Sequence, residues 1–132
     1  MNEHINPGSL MVPEGNSYTQ IVTSTGNKTI HIAGQVSVDS NGNVLHEGDL
    51  GAQARQALEN IRLALEAVGA EKKDLVRLRY YIVNYSSESI PVLMAALEDF
   101  FGDIPAPAGT LLGISALFLP GMMIEIDGTA VL

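Results

Sequence analysis

The most regular pattern of apolar residues in the chain predicts a helix over residues 50–68. These residues recur at steps of four and three, which is the spacing of one helical face. They are Ala54, Leu58, Ile61, Leu65 and Val68. Asp49 is a suitable N-cap and Gly69 a suitable stop. The polar residues of the opposite face, Gln53, Gln56, Glu59, Arg62 and Glu66, are predicted to be solvated.

A second helix is predicted to begin at Ser86 or Ser87 as its N-cap and to end at Gly102. Pro91 falls in its first turns, where a proline is tolerated. Its apolar stripe consists of Ile90, Leu93, Leu97 and Phe100.

Alternating apolar and polar positions predict the strands. Residues 18–23 and 29–38 flank a polar turn and are predicted to pair as a hairpin. Further strands are predicted at 75–83, 111–119 and 122–132. The order β-β-α-β-α-β-β, with two helices on one face of a mixed sheet, predicts an α+β sandwich.

The sheet face turned away from the helices is predicted to be too apolar for water. Ala33, Tyr81, Leu112 and Val131 are candidates for this face. Because large exposed apolar patches usually mark interfaces, we predict that the protein self-associates.

Length and composition favour one globular domain, residues 1–132, whose first 16 residues form an extended segment. That segment lacks the basic start and apolar run of a signal peptide, and a cytoplasmic location is expected. The absence of cysteine excludes a disulfide scaffold and a thiolate zinc site. The uncharged run 104–124 is long enough for a membrane span, but its prolines and glycines favour strand, turn and strand.

The formal net charge of -8 argues against nucleic acid, since phosphate binding depends on clustered basic residues. No lysine or arginine follows Arg79.

Two stretches are candidates for chemistry. In residues 105–114, two prolines restrict the backbone before Gly109, and the glycine permits close approach of a ligand. The alternative is a proline-rich connection between helix and strand. On the last strand, Glu125 and Asp127 share one face at about 7 Å, where dry carboxylates would raise each other's pKa. The alternative is a solvated polar face.

Four motifs together resemble the YjgF/RidA family, also called the endoribonuclease L-PSP family. They are IAGQV at 32–36, AQARQALENI at 52–61, Pro107-Ala108, and IEID at 124–127. The similarity runs from about residue 18 to residue 131. The resemblance implies a chorismate mutase-like fold and a homotrimer with a central β-barrel and a pocket between each pair of subunits.

The resemblance also implies an activity, the hydrolysis of enamines and imines to ketones and ammonia without metal or cofactor. The family's acid, which positions water, corresponds to Asp127, and its tyrosine to Tyr18; we predict both as catalytic. Substrate-binding positions correspond to Gly34 and Gln35 at a strand end and to Ser86 at the start of the second helix.

The family's arginine, which grips a substrate carboxylate, is replaced here by Gly109. We therefore predict a neutral or amine-bearing ligand, with the amides of Gly109 and Thr110 facing a developing oxyanion. Arg79 is a candidate to bind the substrate carboxylate in place of the missing arginine, from a different strand. The alternative is a structural ion pair of Arg79 with Glu125 or another buried acid.

Three functions are compatible with these residues. The first is a divergent hydrolase or deaminase of the RidA type. The second is a trimer that binds a small molecule or a protein and has lost the chemistry. The third, an endoribonuclease, is the least favoured because the chain is acidic.

Overall fold

The computed structural model describes all 132 residues and contains six strands and two α-helices. The strands are β1 (Asn2–Ile5), β2 (Ile21–Ser24), β3 (Thr29–Val36), β4 (Leu75–Val83), β5 (Ala108–Ile114) and β6 (Ile124–Val131). The helices are α1 (Leu50–Ala67) and α2 (Ser89–Phe101), and a short 3₁₀ turn precedes β4.

Four strands form one mixed sheet in the order β3-β6-β4-β5. Strands β4 and β5 are parallel, and the other neighbours are antiparallel. Both helices pack on one face of this sheet through a common core. The predicted α+β architecture is therefore confirmed.

The predicted hairpin of β2 with β3 is wrong. Strand β2 pairs instead with β1, which lies in the N-terminal segment, and β3 pairs with β6. The backbone amides of Asn27 and Lys28, in the turn between β2 and β3, donate to the carbonyl of Leu132. The C-terminal end of the chain therefore bonds to this turn, and β6 occupies the place beside β3. Strand β2 pairs with β1 instead.

Helix α1 confirms most of its prediction. The Asp49 side chain accepts a hydrogen bond from the amide of Ala52 at 3.0 Å, and Gly69 has the positive φ of 75° that suits a residue just past a helix end. Val68 was expected in the buried stripe but is exposed, and Gln53 was expected in water but is fully buried.

Helix α2 begins later than predicted. Its N-cap is Glu88 rather than Ser86 or Ser87, whose carbonyls accept from the amides of Ser89 and Ile90. The hydroxyl of Ser89 accepts instead from the amide of Ser86 at 3.2 Å. At the other end Phe101 is fully buried, whereas Phe100 is only half-buried.

The run 104–124 contains no helix, as predicted, but β5 starts three residues earlier than expected and ends at Ile114. Residues 115–123 connect β5 to β6, and Phe118 at the tip of this connection is 86% exposed. Neither helix of the protein combines the length and apolar composition that a membrane crossing requires.

The two faces of the main sheet differ in character. The face under the helices carries fully buried Leu78, Ile82, Ile124 and Ile126. The opposite face, called the outer face below, holds the residues that alternate with them: Arg77, Arg79, Tyr81, Glu125, Asp127 and Thr129. Of the predicted apolar members of this face, Ala33 and Leu112 are exposed and Tyr81 and Val131 are partly buried, and charged side chains lie between them.

Candidate functional site at strand β5

The proline-rich stretch before β5 is fastened to the N-terminal segment. The side chain of Asn16 donates to the carbonyl of Ile104 and accepts from the amide of Ala106, both at 2.7 Å. The amide of Thr19 donates to the carbonyl of Pro107 at 3.0 Å, and the Thr19 hydroxyl donates to the carbonyl of Ala106. These bonds hold the intervening Tyr18 against the start of β5.

We expect Asn16→Ala to destabilise the protein by about 2 kcal/mol, because the variant leaves the amide of buried Ala106 without an acceptor. The measurement is urea unfolding at fixed protein concentration. Asn41→Ala is the matched control, because the Asn41 side chain is exposed and makes no hydrogen bond. Equal losses in both variants would contradict this role of Asn16.

A cavity of about 470 Å³, called the helix-side cavity below, lies between α2, β5 and the N-terminal segment. Most of its lining is apolar, and none of it is basic. The lining consists of Met11, Val12, Glu14, Ser17, Tyr18, Tyr80, Ile90, Leu93, Met94, Leu97, Gly109, Thr110 and Leu111. Glu14 is the one charged residue among them.

Gly109 opens onto this cavity between two tyrosines. A Cβ placed on Gly109 would lie 3.2 Å from Cβ of Tyr18 and 3.6 Å from Cε2 of Tyr80. The first distance is tighter than an ordinary contact, so any side chain here would displace Tyr18 slightly. The glycine therefore keeps this space open.

Asp127 lies on the outer face in a cluster with Arg79 and Tyr81. Its Oδ1 accepts from Nε of Arg79 at 2.9 Å, and its Oδ2 accepts from the Tyr81 hydroxyl at 3.0 Å. The Asp127 side chain is 18% exposed and that of Arg79 is 49% exposed. The partner of Arg79 is thus Asp127 rather than Glu125.

The electrostatics of this cluster are consistent with its hydrogen bonds. The hydrogen bond to Asp127 raises the pKa of the Arg79 guanidinium. Burial, followed by the hydrogen bond to Asp127, raises the pKa of the Tyr81 hydroxyl. At neutral pH a charged donor and a neutral donor therefore hold the two oxygens of one carboxyl group.

Strand β5 borders both the cavity and the outer face. The hydroxyl of Thr110 accepts from Nη2 of Arg77 at 2.7 Å on the outer face, and Thr110 also lines the helix-side cavity. In the main sheet β5 is an edge strand, and Thr19 of the N-terminal segment pairs with its first residue, Ala108.

The other predicted site residues lie elsewhere in the chain. Gly34 and Gln35 are on β3, which β6 and β4 separate from β5. The Gln35 side chain donates to the carbonyl of Ala33, and a Cβ on Gly34 would overlap the Glu125 carboxyl group. Ser86 is exposed in the turn before α2.

The structure thus brings together Tyr18 with Gly109 and, separately, Arg79 with Asp127. These two pairs lie on opposite faces of the same sheet. Tyr18 and Asp127, both predicted as catalytic in a pocket between subunits, therefore do not meet within one chain.

Three residues of the site were missed from the sequence. Tyr81 shares a strand face with Arg79, and this alternation could have revealed it. Tyr80 lies on the same strand face as the core residues Leu78 and Ile82, and only its hydroxyl distinguishes it from them in the sequence. Asn16 lies in a segment without a periodic pattern, so its contact with residues 104–106 could not be inferred.

Fold and site together define an α+β protein of the chorismate mutase-like class with a cluster of polar and charged residues on the outer face of its main sheet. The sequence model of the endoribonuclease L-PSP family matches residues 11–132. The chain belongs to this family, which confirms the resemblance to the YjgF/RidA proteins.

Individual relatives agree with this assignment. The chain is 30% identical to a 2-iminobutanoate/2-iminopropanoate deaminase from Dermatophagoides farinae, over 76% of this chain and 74% of the relative. It is 36% identical to YyfB, a protein of unknown function of the Rid family from Yersinia pestis, whose structure superposes with a TM-score of 0.93 over 99% of this chain and 98% of that chain. A YjgF/YER057c/UK114 family member from Mycobacterium tuberculosis is 26% identical, with a TM-score of 0.66 and full coverage of both chains.

Proposed function

We propose that this protein is a Rid-type hydrolase that releases ammonia from a small enamine or imine, and that it works as a homotrimer. Family membership and the identity to an imine deaminase support the general activity. The observation that carries the proposal is the Asp127 carboxylate, held by Arg79 and Tyr81 on the outer face.

In the proposed reaction Asp127 positions and activates water. A carboxylate offers about four lone-pair sites, so about two remain beside the bonds to Arg79 and Tyr81. The water oxygen adds to the imine carbon while Asp127 accepts a proton. Both water protons end on the nitrogen, which leaves as ammonia when the C–N bond breaks, and a ketone remains.

A second copy of the chain would complete the site. Gly34 and Gln35 lie on β3 and Gly109 on β5, and these strands form the two opposite edges of the main sheet. Three strand spacings, about 14 Å, separate them within one chain. A cyclic arrangement that sets the β5 edge of one copy beside the β3 edge of the next would bring these residues close together.

The proposed substrate is neutral or bears an amine. The helix-side cavity has no basic residue to bind a carboxylate, and Glu14 gives it a negative charge. Arg79 already donates through Nε to Asp127. These charges distinguish the protein from the arginine-bearing deaminases that it resembles.

The test is ammonia release from two imines generated in situ by an oxidase, 2-iminobutanoate and its uncharged analogue butan-2-imine. We expect faster release from butan-2-imine, and a loss of roughly 100-fold or more in Asp127→Asn, the range for removal of a general base. Glu125→Gln, which removes the neighbouring charge on the same strand face, is the control. No enzyme-dependent release from either imine would refute the proposal.

A second candidate, a trimer that binds a small molecule without transforming it, is favoured by one observation. Both oxygens of Asp127 already have donors from the same chain, which is also the arrangement of a structural ion pair. Arg79→Met separates the two candidates. Loss of ammonia release with the assembly intact supports the hydrolase, whereas dissociation of the assembly supports a structural pair.

A further inference from the structure

Arg77 is the one arginine of the chain that has no acidic partner. Each of the other three forms an ion pair: Arg55 with Asp99, Arg62 with Glu59 and Glu66, and Arg79 with Asp127. Arg77 donates instead through Nη2 to the neutral hydroxyl of Thr110 at 2.7 Å. A guanidinium has five N–H donors, so four of them remain. Although acidic residues outnumber basic ones 15 to 7, the sheet places none of them against Arg77.

Arg77 shares a row of the outer face with a hydroxyl and an imidazole. Arg77 of β4 lies opposite Thr129 of β6, and Thr129 lies opposite His31 of β3. Residues opposite each other in antiparallel strands project from the same face, with Cβ atoms about 5 Å apart. Arg77 and His31 are exposed, and Thr129 between them is partly buried. These three residues, called the arginine row below, therefore form a shallow trough roughly 10 Å wide, or two strand spacings, with a short side chain as its floor.

The acids near the arginine row already have donors. Asp127, two residues before Thr129 on β6, accepts from its own arginine and from a tyrosine hydroxyl, as described above. On the other side, a main-chain oxygen of the C-terminal Leu132 accepts from two amides of the turn before β3. The row thus keeps an unneutralised positive charge in a chain whose net charge is -8.

We propose that the arginine row binds a tetrahedral oxyanion, either phosphate or a phosphate monoester, over Thr129. The guanidinium of Arg77 donates two parallel hydrogen bonds to two of its oxygens. The Thr129 hydroxyl and the His31 imidazole donate to the others. A carboxylate has only two oxygens, which the guanidinium occupies by itself, so the donors on β6 and β3 favour an anion with more oxygens. The site goes beyond the proposed hydrolase, because it uses none of the residues of that reaction.

Calorimetric titration of the whole protein with inorganic phosphate tests the site. The buffer contains no other oxyanion, and sodium chloride keeps the ionic strength constant because salt screens exposed charges. We expect saturable binding of phosphate that is at least about tenfold tighter than the binding of acetate, the carboxylate probe. Equal affinities for the two anions, or no binding of phosphate, would overturn the proposal.

Arg77→Gln removes the charged donor from the row. We expect phosphate to bind roughly 10- to 100-fold more weakly, the range for hydrogen bonds to a charged group. Arg55→Gln is the matched control, because it removes the same charge from an exposed arginine of α1 and should bind phosphate like wild type. Equal losses in the two variants would show that phosphate responds only to the net charge of the protein, and would overturn the proposal.

Thr129→Val replaces the hydroxyl with a methyl group and keeps the β-branched shape of the side chain. We expect it to weaken the binding of phosphate by roughly three- to tenfold, the range for one neutral hydrogen bond. Wild-type affinity in this variant would overturn the position of the anion over Thr129. If wild type binds no phosphate and Arg77→Gln dissociates the assembly, Arg77 belongs to a contact between copies and the proposal is rejected.

Glycerol 2-phosphate distinguishes the two sources of the anion. Binding as tight as that of inorganic phosphate would identify a phosphate monoester as the ligand class, whereas binding of inorganic phosphate alone would identify the free anion. Both titrations are made without an imine. Their outcome is therefore independent of whether the protein releases ammonia, and either proposal can fail while the other stands.

Discussion

Gly109→Arg should give the protein an affinity for small carboxylates that the wild type lacks. Gly109 opens onto the helix-side cavity, and its φ lies outside the left-handed region, so the backbone accepts a side chain there. The guanidinium would enter a cavity without another cation, where it can bind a carboxylate through two parallel hydrogen bonds. We expect 2-oxobutanoate to bind roughly 10- to 100-fold more tightly than to wild type, as measured by calorimetry.

Two further variants make this result specific. Gly109→Met adds a side chain of similar length without charge and should give no gain. Glu14→Gln combined with Gly109→Arg removes the one acidic side chain that could compete for the new guanidinium, and should raise the affinity further. An equal gain in Gly109→Met, or none in either arginine variant, would contradict the position assigned to Gly109.

Gln53→Ala should destabilise the fold by about 3 kcal/mol, the largest loss we expect from any polar substitution here. The side chain of Gln53 is fully buried and joins two loops to α1. Its Nε2 donates to the carbonyl of Gly121 at 2.8 Å and, at 3.3 Å, to those of Leu45 and His46. Its Oε1 accepts from the amide of Met123 at 2.8 Å. Alanine would leave the amide of Met123 without its acceptor and the carbonyl of Gly121 without its donor, whereas the carbonyls of Leu45 and His46 keep bonds from Ser37 and Asp49.

The measurement is equilibrium unfolding in urea at one protein concentration, because self-association would add to the apparent stability. Gln56→Ala is the matched control in the same helix. Gln56 is half-buried and its amide donates to Asn60 four residues on, a pair worth about 0.5 kcal/mol or less. A loss in Gln53→Ala as small as that of the control would show that these bonds are not needed.

Strong local patterns explain which elements could be predicted. Helix α1 has a complete apolar stripe with a cap at each end, and β4 alternates over its whole length, so both were found with correct bounds to within a residue. Gln53 is the exception within α1. Its partners belong to loops that reach the helix only in the folded chain, and a polar residue without visible partners is expected in water.

Long-range pairing explains what could not be predicted. The contact between Arg79 and Asp127 depends on the register of β4 against β6, and this register joins residues 48 positions apart. The choice of β1 as the partner of β2 likewise follows from the place of β6 beside β3, which no short window of sequence reveals. The family resemblance drew attention to Asp127 and Gly109, but not to their positions on opposite faces of the sheet.

The connection between β5 and β6 is hydrogen-bonded at its C-terminal end and exposed at its tip. Gln53 holds its last residues, Gly121 and Met123, while Phe118 at its tip is almost fully in contact with water. The chain has no tryptophan, so Phe118→Trp would introduce a single indole fluorophore. Because the Phe118 side chain is exposed in the single chain, we expect this substitution to leave the fold unchanged. The wavelength of its emission would report whether assembly covers this tip, and a dilution series would then give the subunit dissociation constant without an attached dye.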